Sequence, residues 1–202
     1  MEYKEILDEI EKQLEGEAHL DELARKKQDP FKILISTILS ARTRDANTRI
    51  ATEKLFAKYN TPESIAKANI EDIEELIKSS GFYKVKAARI KEVSKILLED
   101  YNSKVPDNYD ELIELPGVGS KTANCVLVYA FKVPAIPVDT HVHRISKRLQ
   151  LIPQNFTPEK TFYLLDPLIP TRKSFSFHVN LLKLGRQICL SRKARCSQQA
   201  EA

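Results

Sequence analysis

Tryptophan is absent from this chain of 202 residues, methionine occurs once, glycine five times and cysteine three times. Three cysteines (Cys125, Cys189 and Cys196) cannot form a fully paired disulfide framework. A secreted disulfide scaffold is therefore excluded, and a reducing intracellular compartment is expected. No run approaches the roughly 18 apolar residues that a membrane helix needs. Met1-Glu2-Tyr3-Lys4-Glu5 lacks the pattern of a signal peptide, so no membrane role is expected. Low-complexity segments and long internal repeats are also missing. With so few glycines, each is expected where the backbone needs what only glycine provides.

What is present is a core-forming, highly charged chain, 42% hydrophobic and 30% charged, with a net charge of only +4. The charge is unevenly spread. Residues 1–29 carry five basic and ten acidic side chains, while residues 171–202 carry seven basic and one acidic. A further basic group is Arg42, Arg44 and Arg49. Separate basic patches on a nearly neutral chain fit a face that meets phosphates, and they equally fit solvated helix surfaces.

The apolar spacing is helical almost throughout. Phe31, Leu34, Ile35, Ile38 and Leu39 share one face, opened by Asp29 and Pro30 as N-cap and first-turn residues. The same spacing recurs at Ile70, Ile73 and Ile77, then at Ile90, Val93 and Leu97. Ala123, Val126, Leu127 and Ala130 form another stripe; Val142, Ile145 and Leu149 form one behind Asp139 and Thr140. Phe175, Val179 and Leu182 mark a late helix. No convincing period-2 strand appears, and Pro134 and Pro137 make Val133–Val138 an extended linker. The expected fold is all-α, with about ten helices in two lobes. One lobe would span 23–136, and the other would combine 1–22 with 137–202. A chain that begins and ends in one lobe leaves a cleft between the two, where an active site is expected.

The most informative stretch is Leu115-Pro116-Gly117-Val118-Gly119-Ser120-Lys121-Thr122-Ala123, within a helical hairpin spanning about 112–131. Two glycines flank Val118. They permit tight backbone angles and close approach of another backbone, and the amides that open the next helix bind anions. Val118 remains free to plug the gap between the helices. This string resembles the helix-hairpin-helix motif of DNA repair glycosylases. Twenty residues after Gly119 stands Val138-Asp139-Thr140-His141-Val142, which is similar to the aspartate segment of the same superfamily.

The resemblance to the endonuclease III family extends over about residues 25–196. Leu39-Ser40-Ala41-Arg42-Thr43-Arg44-Asp45 resembles the segment after that family's second helix, and Gly81-Phe82-Tyr83-Lys84-Val85-Lys86-Ala87 its DNA-wedge turn. Gly185-Arg186-Gln187-Ile188-Cys189 resembles the approach to its iron–sulfur loop. The resemblance implies two all-α lobes with DNA across the cleft. The implied partner is double-stranded DNA bearing a damaged base or abasic site, met by a monomer.

It also implies roles. A lysine attacks only as the neutral amine, which desolvation or neighbouring positive charge favours. Read by itself, Lys121 is either such a nucleophile or a phosphate contact. Family members with lysine here are bifunctional glycosylase/lyases. Asp139 is well placed as an N-cap; the resemblance adds activation of Lys121 and stabilisation of charge on the sugar. Gly117, Val118, Gly119 and Ser120 are expected to meet DNA, with Arg44 and His143 as further DNA-facing residues. Arg42 and Phe82 are candidates to fill the hole left by a flipped base, against a plain phosphate contact and core packing respectively. Many relatives carry Gln and Leu at these two positions. His141 is expected to hydrogen-bond structurally; His141 and His143, two apart, are badly spaced for a helical metal pair. Cys125 reads as core filler.

The family's cluster loop is spaced C-x6-C-x2-C-x5-C and holds a 4Fe-4S cluster. Cys189 and Cys196 match the first two ligands, Gln199 stands at the third, and the fourth falls beyond Ala202. No cofactor is therefore expected. The expected activity is removal of oxidised pyrimidines followed by cleavage of the abasic site through a lysine Schiff base. The alternatives are a monofunctional thymine or uracil mismatch glycosylase and a non-enzymatic helix-hairpin-helix DNA-binding module.

Overall fold

The structure, a computed structural model, describes residues 22–23, 29–133, 135–170 and 173–192. The acidic N-terminal segment, Pro134, Arg172, and the run holding Lys193, Arg195, Cys196 and Gln199 lie outside the described residues, as does the side chain of Phe175. Ten α-helices and one π-helical turn are delimited, with no strand among the described residues. The chain divides into two compact units, one within Glu17–Val133 and the other within Pro134–Ala202.

The first unit is built around α1 (Pro30–Ser40). Asp29 caps it as the sequence indicates, its Oδ1 accepting from the Phe31 amide at 3.1 Å. From Ile33 to Leu39 every residue is buried, so this helix is surrounded. Its buried hydroxyls turn back onto the helix, Ser36 Oγ to Lys32 O at 2.6 Å and Thr37 Oγ1 to Ile33 O at 2.7 Å, and so are satisfied. Around it stand α2 (Asp45–Lys58), α3 (Pro62–Lys67), α4 (Ile70–Leu76), α5 (Tyr83–Asp100), α6 (Tyr109–Glu114) and α7 (Ser120–Val126). One continuous core joins Leu34, Ile38, Leu55, Ile73, Ile90, Leu97, Leu112 and Val118.

The stripe from Ala123 to Ala130 reads as one α-helix, but the structure departs from that reading. After α7 the chain widens into a π-helical turn over Leu127–Phe131 and stops at Lys132, which takes φ 59°. Within this wider turn Leu127, Val128 and Tyr129 are all buried.

The second unit holds α8 (Thr140–Arg148), α9 (Pro158–Leu168) and α10 (Ser174–Gln187) around Ile136, Val142, Ile145, Leu165, Phe177, Leu181 and Leu184. Ile136 is fully buried in this core. That is why the break between the units falls at Val133 rather than at 136. Among the described residues, no helix is long and apolar enough to cross a membrane.

Candidate functional site

The glycine hairpin joins α6 to α7. Gly117 has φ +82°, and a Cβ there would come within 2.6 Å of Arg89 Cδ, so only glycine fits. The Val118 amide closes the turn by donating to Leu115 O at 3.0 Å, and its side chain is 6% exposed in the core. Gly119 occupies the N-cap of α7, and no side chain caps that end. Ser120 is exposed and Lys121 half-buried in the first turn. No hydrogen bond or ion pair engages the Lys121 amine among the described residues of its unit.

Asp139 belongs to the second unit and opens α8. Its Oδ1 accepts from the amides of His141 at 2.9 Å and Val142 at 2.8 Å. Both capping bonds use the same oxygen, which leaves Oδ2 outside the cap. His141 Nδ1 meets Arg144 Nη2 at 3.2 Å, and His143 Nδ1 meets Thr161 Oγ1 at 2.9 Å. Burial lowers the pKa of both imidazoles, His141 also feeling Arg144 and Arg186, and His143 feeling Lys147.

Arg42 and Phe82 come together. The turn after α1 places Arg42 at φ 51°, and the turn before α5 places Phe82 at φ 59°. Both are left-handed conformations that side chains other than glycine resist. The Arg42 guanidinium lies 5.8 Å from the centre of the Phe82 ring, Phe82 is 62% exposed, and Val85 beside it is 51% exposed. Core packing is thereby removed as the explanation for Phe82. Arg44 is exposed at the N-cap position of α2.

Two cationic groups escape the sequence reading. The first is Lys86, 4% exposed in the first turn of α5 and ringed by oxygens. Its position four residues before Ile90, on the apolar stripe of Ile90, Val93 and Leu97, was the available signal. The second is the pair Arg144 and Arg148. Arg144 donates to Gly185 O and Cys189 O, and Arg148 to Cys189 O, Leu190 O and Ser191 O. A cavity of about 480 Å³ opens here, with His141, Arg144, Arg186 and Arg192 on its walls. Cys189 is fully buried, and its Sγ accepts from Arg148 Nη1 at 3.2 Å. Cys125 is a buried thiol of the first unit, clustered with Leu23, Ile33 and Tyr129.

Residues 35–171 match the family model described as HhH-GPD superfamily base excision DNA repair protein. Endonuclease III of Thermotoga maritima is 50% identical over 173 residues, covering 86% of this chain and 81% of that protein. Endonuclease III of Escherichia coli (strain K12) is 40% identical over 167 residues, covering 83% and 79%. Among solved structures, a trapped endonuclease III–DNA covalent intermediate superposes with a TM-score of 0.85 at 37% identity, covering 96% of this chain and 90% of that one. A thermostable thymine-DNA glycosylase superposes with a TM-score of 0.75 at 30% identity, covering 84% and 80%.

Proposed function

The chain belongs to the endonuclease III family of HhH-GPD base-excision DNA repair proteins and is a DNA glycosylase with abasic-site lyase activity; within it, we propose that Lys121 is the nucleophile and Asp139 its acid–base partner. The observation that carries this reading is Lys121 itself, an amine without a partner among the described residues of its unit, in the first turn behind the glycine hairpin. A related enzyme has been held as a covalent intermediate on DNA, and such an intermediate requires a nucleophile on the protein.

In the proposed sequence, the damaged nucleotide leaves the base stack, at the cost of unstacking and unpairing. The neutral amine of Lys121 attacks C1′ and expels the base. The amine then loses a proton and the C1′–O4′ bond breaks, opening the sugar to a Schiff base; this acidifies the neighbouring C2′ proton, and β-elimination breaks the C3′–O bond, with the phosphate of the 3′ strand as leaving group. Asp139 takes up or returns protons and offsets positive charge on the sugar. Its second oxygen supports that role, because the first already caps α8. Gly117, Gly119 and Ser120 hold the phosphate backbone through main-chain amides, aided by Arg44 and His143, while Val118, its amide given to Leu115 O, shapes the turn from the core. Arg42 and Phe82 occupy the gap left in the duplex, and oxidised pyrimidines are the proposed substrates.

The family's cluster does not fit these residues. A cubane cluster is held by four thiolates. The chain holds three cysteines, one fewer than four, and of these Cys125 lies in the core of the first unit while Cys189 lies in that of the second. We therefore propose that the 202 residues act without a cluster, and no step above involves one. Iron and sulfide analysis of purified protein should give far less than one cluster per chain; stoichiometric iron with visible thiolate absorbance would overturn the proposal.

Borohydride trapping tests the catalytic assignment. Protein incubated with duplex containing an abasic site or thymine glycol should give a covalent adduct, and Lys121→Ala should give none. Base release without any adduct would instead support the monofunctional mismatch glycosylase. Binding with neither reaction would support a non-enzymatic DNA-binding module.

A further inference from the structure

Lys86 lies outside the proposed chemistry, yet it is the most heavily engaged side chain of the first unit. Its Nζ sits 2.7 Å from Leu39 O, 2.7 Å from Ala41 O, 2.8 Å from Thr43 Oγ1 and 2.8 Å from Ser80 Oγ. Leu39 O and Ala41 O are carbonyls at the C-terminal end of α1, which lack partners within the helix. A cation at that end also meets the negative pole of the helix. Thr43 follows Arg42, and Ser80 precedes Gly81 and Phe82. One ammonium therefore joins the turn that carries Arg42 to the turn that carries Phe82.

The surrounding bonds complete the joint. Thr43 Oγ1 accepts from the Gly81 amide at 3.1 Å, and Ser80 Oγ donates to Leu39 O at 3.1 Å. The two turns are so close that a Cβ on Gly81 would stand 3.0 Å from Arg42 O. Both tips of this joint are the left-handed residues, Arg42 and Phe82. Strained backbone of this kind persists only where its surroundings over-determine it, and it gathers at functional sites. An ammonium has three N–H groups to share among four oxygens; a neutral amine has two and turns a lone pair toward them. Burial pushes the Lys86 pKa down to about 8, which still leaves the ammonium protonated at neutral pH.

We propose that Lys86 is a positioning residue that locks the Arg42 and Phe82 turns together, so that the two side chains enter the DNA duplex as one two-part wedge. The proposal rests on the reading of Arg42 and Phe82 as DNA-inserting residues. It adds that neither works alone: Phe82 holds the base step open while the guanidinium beside it meets the orphaned partner base. Their separation is set from beneath by Lys86 rather than by their own contact.

The test compares two substrates under single-turnover conditions, an abasic site in a duplex and the same site in a single strand, where no partner base or closed stack has to be held apart. Lys86→Met should lower the duplex-to-single-strand rate ratio at least ten-fold. Adding Arg42→Ala and Phe82→Ala to that variant should then cost less than a further two-fold. Equal losses on both substrates would show a general structural role, and an unchanged ratio would show no role; either overturns the proposal. In an otherwise unaltered protein, the Arg42→Ala, Phe82→Ala double variant tests the underlying reading by itself. If it leaves the ratio unchanged, the wedge reading fails, whereas loss in that double variant with none in Lys86→Met defeats only the role of Lys86. If Lys86→Met does not fold, Thr43→Val with Ser80→Ala removes two of the four partners and spares the helix carbonyls. Its ratio should fall at least three-fold, and no fall would overturn the proposal.

Discussion

Asp139 performs a structural task that its proposed chemistry does not disturb. One oxygen receives two amides at the start of α8, and the other takes no part in the cap. The two tasks separate by substitution, because asparagine caps a helix about as well as aspartate but cannot act as a base. Asp139→Asn should fold within about 0.5 kcal/mol of the parent and lose about 100- to 10,000-fold in turnover. Asp139→Ala should lose the same activity and about 1 kcal/mol of stability besides. Chemical unfolding measured beside single-turnover cleavage distinguishes the two, and full activity in Asp139→Asn would remove the acid–base assignment. Gly117 shows the opposite economy: its φ of +82° and the contact with Arg89 make it necessary to the turn whether or not DNA is bound.

In the second unit, α8 and α10 approach closely at Gly185. A Cβ on Gly185 would lie 2.6 Å from His141 Nδ1 and 3.0 Å from His141 Cβ. The space saved by glycine lets Arg144 reach across to Gly185 O at 3.0 Å. Gly185→Ala should force the helices apart and cost about 1–3 kcal/mol, as overpacking does. A melting temperature equal to that of the parent would show that His141 moves aside without cost. In the first unit, the corresponding joint is polar. Lys86 satisfies the end of α1 with a side chain from α5, so one lysine serves as a helix cap and a link between turns. The starts of two helices are legible from their caps, at Asp29 and Asp139. The π-helical turn is not: Tyr129 within it packs with Cys125, one turn before it, and with Leu23 and Ile33, far earlier in the chain, and that packing is invisible to local sequence.

For the whole molecule, acidity should act through the two imidazoles of α8. Burial lowers the pKa of His141 and His143 in the folded state relative to the unfolded chain. The unfolded chain then binds more protons between the folded values and 6.5, so stability rises with pH through that window. Stability is present above the unfolded value and is lost as pH falls through the folded values. Unfolding by urea at pH 7.5 and 5.5 should show a loss in acid that shrinks in a His141→Asn, His143→Asn variant. An unchanged loss would place the acid sensitivity elsewhere. DNA affinity should also fall steeply with salt, since neutralised phosphates release counterions.

The helical class, the glycine hairpin, the lysine behind it and the aspartate cap were all decided by local sequence. Each depends on residues within a turn or two of one another: Gly117 and Gly119 beside Lys121, Asp139 beside Val142, apolar residues three and four apart. Phe82 is ambiguous at that range, since a phenylalanine after glycine fits a core as well as a wedge; its 62% exposure takes it out of the core. Lys86 was silent, because a lysine's solvent-loving charge ordinarily argues for the surface. Its burial makes sense only once Leu39, Ala41, Thr43 and Ser80 have been folded around it. Those partners lie up to 47 residues away along the chain. A buried ammonium is tolerated when its oxygens are already in place, and tertiary structure alone puts them there.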